Sequence, residues 1–155
     1  MAFVIKGLSA DPFRHLYGLS DEELQAQGVK RYICDKSPGF PDRIEMRDAT
    51  VGETLLLLNH TSMEKDTPYK ASHAIFVREG AEDTYEVANT VPPVMFNRLL
   101  SLRAFDQDGM IVDADVVQGA DIHTSIERLF ENEAVEHIDA HNAGRGCFSG
   151  RVTRG

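Results

Sequence analysis

With 155 residues, 42% hydrophobic and 26% charged, the chain has the make-up of an ordinary globular domain, which excludes disordered and fibrous classes. Its 16 basic and 25 acidic residues leave a formal charge of −9 and a pI near 5.0, so its surface repels phosphate backbones and anionic bilayers, and neither nucleic acid nor membrane is an expected partner. Two cysteines, Cys34 and Cys147, are too few for a disulfide framework, no apolar run approaches the ~18 residues of a membrane span, and Met1–Lys6 is too short and apolar-poor for a signal peptide; the expectation is one domain over residues 1–155, cytoplasmic, with both thiols reduced.

Residues 3–8 read as a first strand, followed by a brief helical segment capped by Ser9 and entered through Pro12. Ser20 with Glu23 forms a capping box for a clearer helix that Gly28 stops. Residues 31–34 look like a strand, and Ser37-Pro38-Gly39 with Pro41 a loop. Arg43 to Arg47 alternates charged and apolar residues at strand period. Leu55 to Leu58 is continuously apolar and predicts a central strand. His73 to Val77 predicts another, after a loop carrying Asp66, Pro68 and Tyr69.

Val91-Pro92-Pro93 starts a short helix to about Leu99. Leu100–Phe105 and Met110–Val117 flank Gln107-Asp108-Gly109, a hairpin whose glycine suits a type I turn closed by a bulge. That register sets Arg103 opposite Asp113, whereas a two-residue turn puts them on opposite faces. Residues 121–131 predict an amphipathic helix capped by Asp121, with Ile122, Ile126, Leu129 and Phe130 as its core stripe. Residues 135–141 and 147–152 predict a last hairpin around Asn142 to Gly146. The fold class is therefore α+β: a mostly antiparallel sheet of hairpins with three or four short helices packed on it.

Chemistry concentrates in that last hairpin. His137, Asp139 and His141 share one strand face, neighbours lying about 6.6 Å apart. Asp139 and His141 are weak metal candidates without a third ligand, since His137 and His141 stand about 13 Å apart on a strand; the plain alternative is a solvated face. A loop of two or four residues puts Cys147 opposite Asn142, and a three-residue loop puts it opposite His141 as a cross-strand Cys–His pair. A cysteine is otherwise a small buried hydrophobe, the expectation for Cys34. The segment after Ala143 carries Arg145, Arg151 and Arg154 with no acid. Asp113 and Asp115 share a face, as an acid/base pair or as a wetted edge. Arg43, Arg47 and Arg78 either gather an anion or pair with neighbouring acids.

Several phrases in order carry a family resemblance: Arg47-Asp48-Ala49 with Gly52-Glu53, Leu55–Asn59, Pro68–Ser72, Ile75–Glu79, Leu99–Phe105, Asp108-Gly109-Met110 with Val112–Val116, and Ala140–Phe148. Together they resemble the bacterial family catalogued as domain of unknown function 1203. His141, Asn142, Arg145 and Cys147 match its pattern. The resemblance also implies a cysteine where this chain has Asp42 and a histidine where it has Asp139, so neither a shared thiol pair nor a two-histidine strand site is expected here.

The expected function is a small-molecule binder or enzyme, for a small anionic ligand, with its pocket where the last hairpin meets the strand ending at Asn59 and the loop of Tyr69. His141 serves there as acid or base, Cys147 as nucleophile or packing thiol, and Asn142, Arg145, Asn59, Tyr69, Arg78 and His73 as ligand contacts. The cofactor, if one is used, is unknown from the sequence. The alternative is a non-catalytic interaction protein, homodimeric through an exposed strand edge.

Overall fold

The computed structural model describes residues 2–155; Met1, within the N-terminal segment read above, lies outside them. The architecture is α+β, with two antiparallel sheets. The larger is built from β1 (Phe3–Lys6), β5 (Glu86–Ala88), β6 (Leu99–Phe105), β7 (Ile111–Gln118), β8 (His137–Asn142) and β9 (Phe148–Arg154). Their order is β5-β1-β9-β8-β6-β7. The smaller has β3 (Thr54–Met63) between β2 (Lys30–Ile33) and β4 (Ala71–Arg78). The helices are α1 (Asp21–Ala26), α2 (Pro93–Phe96) and α3 (Ile122–Phe130), with short 3₁₀ turns at Arg14–Leu16 and Gly119–Asp121.

Local chemistry explains most boundaries. Ser20 Oγ accepts from Glu23 N while Glu23 Oε1 accepts from Ser20 N, the reciprocal box that starts α1. The central position of β3 follows from its leucines: Leu55 and Leu56 are fully buried and Leu58 nearly so. On the helix-bearing face of the large sheet, Leu100, Leu102, Ala104, Ile138, Ala140 and Val152 meet Ile122, Ile126, Leu129 and Phe130 of α3. A second cluster joins Leu56, Leu58, Ile75 and Val77 of the small sheet to Phe13, Leu24, Ile44 and Phe148.

Three expectations are corrected. Arg43–Arg47 is an irregular loop, with Met46 at φ 58°; Gly7 allows its close approach, because a Cβ there would meet Ile44 O at 2.3 Å. Period-2 alternation arose here because Ile44 and Met46 plug two different cores. The bulge in the β6–β7 hairpin falls between Ala104 and Phe105, so Arg103 faces Ala114 and Asp113 faces Ala104. Asp113 and Asp115 pair instead with Arg128 of α3, and Ser125 Oγ donates to Asp115. Asp121 sits in the 3₁₀ turn and its side chain makes no cap.

The face of β8 bearing His137, Asp139 and His141 is not solvated either. All three are buried. Arg151 closes a two-pronged ion pair on Asp139 at 2.8 and 3.2 Å, which satisfies the carboxylate inside the protein.

Candidate functional site

The last hairpin has a four-residue loop. Gly146 N donates to Asn142 O and Asn142 N to Cys147 O, and Gly146 takes φ +81°, a left-handed conformation suited to glycine. His141 therefore faces Phe148 across the ladder, and Cys147 stands opposite Asn142. No cross-strand Cys–His pair forms.

The sulfur has other partners. Asn142 Nδ2 donates to Cys147 Sγ at 3.4 Å, and Arg43 Nη2 donates to it at 3.1 Å. Arg43 is 2% exposed. Its Nε donates to Phe148 O at 2.9 Å and its Nη1 to Pro41 O at 2.6 Å. Among the described residues no carboxylate lies within ion-pair reach of it. Burial works against its charge, and the neighbouring Cys147 is the chief opposing influence. The adjacent Asp42 does different work: its two carboxylate oxygens accept from Arg78 N and Glu45 N and so pin the loop that presents Arg43. Arg47 and Arg78, by contrast, pair with Glu53 and Glu45.

Cys147, Asn142 and Arg43 line a cleft of about 530 Å³ together with Arg98, Arg145 and His73. Tyr32, Phe40 and Phe76 form an aromatic wall, with ring centroids 5.3 to 6.5 Å apart. Lys36 also borders the cleft, and among the described residues no aspartate or glutamate does. Arg98 is held by Asp48 at 2.7 Å and by Val94 O. Arg145 has no hydrogen bond or ion pair among the described residues. Two buried polar atoms of lining residues, Asn142 Oδ1 and His73 Nδ1, also lack partners.

His141 does not line this cleft. It is 2% exposed, and burial lowers its pKa to about 4. A neutral ring beside a carbonyl must carry its proton on Nδ1, so His141 Nδ1 donates to Gly146 O at 2.9 Å. It thereby braces the loop that delivers Cys147. Its ring meets His73 edge-on at 5.0 Å. His73 is the imidazole that borders the cleft, held neutral by burial and by Arg103.

The remaining anticipated contacts disperse. Asn59 lines a separate depression with Phe13 and His15, Tyr69 packs edge-on against Phe105, and Arg78 is committed to Glu45. Asp139 is occupied by Arg151. Among the described residues no three His, Cys, Asp or Glu side chains gather as a metal site. Cys34 is buried in a small core cluster, as expected of a packing thiol. Arg98 is the cleft residue sequence reasoning missed, and Arg43, anticipated only as an anion or acid partner beside Arg47 and Arg78, was not foreseen at the sulfur. They reach the cleft from loops far from the hairpin in sequence, and no local pattern announces that convergence.

A two-sheet α+β protein with a cationic cleft bearing a thiol is thus the class that fold and site define. The chain belongs to the family described as protein of unknown function (DUF1203), matched over residues 39–154. That span holds every cleft residue named here except Tyr32 and Lys36. No curated protein and no solved structure matches the chain. Among the described residues no helix is long and apolar enough to cross a membrane.

Proposed function

We propose that the cleft binds a small organic anion and that Cys147 is its reactive contact. The observation that supports this most is Arg43, a buried guanidinium with no carboxylate partner, turned toward a sulfur at the cleft. A buried charge without a counter-charge is costly, and an anion in the cleft, or the sulfur as thiolate, removes that cost. Arg98, Arg145 and Lys36 add positive charge to the same cleft in a protein of net charge −9, and Asn142 supplies a second donor to the sulfur. His73 belongs to the cleft lining and sets an imidazole beside a bound ligand.

The test is alkylation of intact protein with iodoacetamide, read by peptide mass spectrometry. Cys147 reacts and the buried Cys34 does not. Small anions that bind slow the reaction at Cys147 and raise the melting temperature. Alkylation of both cysteines at equal rates, indifferent to every anion tried, sinks the reading.

A second reading rests on β7. It is a sheet edge with an unpaired side, and Val112 and Val116 point outward from it at 39% and 62% exposure. An edge of this kind pairs with its own copy in a two-fold dimer. Light scattering that returns the monomer mass at high concentration, unchanged by Val116→Lys, removes it.

A further inference from the structure

Resting on the reading of the cleft as an anion site, we infer that its ligand is a carboxylate carried on a flat, unsaturated ring. The cleft lining holds two chemically distinct sets of side chains. One is guanidinium: Arg145 has no partner among the described residues, and Arg98 and Arg43 border the same space. The other is aromatic. Phe40 and Phe76 are only partly buried where they pack on Cys34, Ala49 and Leu55, so part of each ring remains open. Tyr32 stands edge-on to Phe76 at 5.7 Å, and Phe40 is tilted against Phe76 at 5.3 Å.

Three rings set at angles to one another leave both faces and edges available, and a planar ligand ring packs against such a set in offset or edge-to-face geometry. Planar guanidinium forks match a planar carboxylate through paired N–H···O bonds. A volume of about 530 Å³ accommodates a one- or two-ring acid. A bare inorganic anion leaves the aromatic wall wet, and a neutral aromatic leaves Arg43 and Arg145 without a counter-charge. Asn142 and Cys147 belong to the same lining, so a ring carboxylate in the cleft sits over the sulfur and shields it.

The experiment uses the full chain and reads protection of Cys147 from iodoacetamide by benzoate, 2-naphthoate, acetate and benzamide. Benzoate or naphthoate is expected to protect at concentrations about tenfold or more below those needed for acetate or benzamide. Arg145→Ala erases the difference between benzoate and benzamide. Tyr32→Ala erases the difference between benzoate and acetate, leaving acetate unchanged; Phe40→Leu, which keeps apolar volume and loses the flat face, does the same if Tyr32→Ala fails to fold. Acetate as effective as benzoate overturns the ring carboxylate and leaves the anion reading standing. Benzamide as effective as benzoate, or no protection by any of the four, overturns both.

Discussion

Arg43 shows how one side chain can serve structure and chemistry together. Its guanidinium ties Pro41 O to Phe148 O at the start of β9, and the remaining nitrogen meets sulfur. Arg43→Ala strands two carbonyls and opens a cavity, so it should lower stability by roughly 2–4 kcal/mol in urea unfolding. Arg43→Met keeps most of the volume and removes every donor; alkylation of Cys147 should slow by about tenfold, because the charge-assisted bond to the sulfur is lost. An alkylation rate equal to wild type in folded Arg43→Met would show that the guanidinium does nothing for the thiol. Asn142→Ala should give the smaller effect, since a neutral amide at 3.4 Å is the weaker donor.

At the scale of elements, the irregular loop 41–49 is what the site depends on. It passes so close to β1 that a side chain at position 7 would meet the carbonyls of Ile44 and Arg43 at 2.3 and 2.9 Å. Gly7→Ala should therefore cost roughly 2–4 kcal/mol and also disturb Cys147 reactivity, although residue 7 is remote from the thiol in sequence. Circular dichroism melts and the alkylation assay, run on one sample, check both effects. This loop also marks the limit of what was legible beforehand. The capping box at Ser20, the leucine strand β3, the stripe of α3 and the final hairpin were all readable, because each is a local pattern. Ile44 and Met46 imitate strand alternation while filling separate cores, so period alone misled. The hairpin loop left two registers open, and only the ladder itself, with Gly146 at positive φ, selects the pairing of Cys147 with Asn142. Asn142, Arg145, His73 and Cys147 could be singled out from sequence, and Arg43 as an anion candidate; that Arg43 touches the sulfur could not, since 104 residues separate them.

Across the whole molecule, the space between the two sheets is lined by imidazoles. His60 and His73 face each other across β3 and β4, and His141 meets His73 from β8. Burial lowers the pKa of all three, His141 to about 4 from an ordinary 6.5. The unfolded chain therefore takes up protons between pH 6.5 and 4 that the folded protein refuses. Stability is at its full value above 6.5 and falls as pH drops through this window, His141 alone accounting for on the order of 3 kcal/mol. Glu53 and Glu79, held near 2 by Arg47 and Arg31, behave differently: their contribution is complete above the ordinary 4.5 and disappears only as pH approaches 2. Denaturant unfolding at a series of pH values should show both windows. His141→Gln should flatten the upper one and leave the lower intact; an unchanged upper slope would place the titration elsewhere. The sheet order has a temporal consequence as well. Strand β9 lies between β1 and β8 and is the link that joins β5-β1 to β8-β6-β7. A ribosome delivers it after every other strand, so until residue 154 emerges the large sheet exists as two separate ribbons with raw inner edges, open to mispairing and to chaperones. The cleft, whose sulfur immediately precedes that strand, is assembled only after the other strands of both sheets have been made.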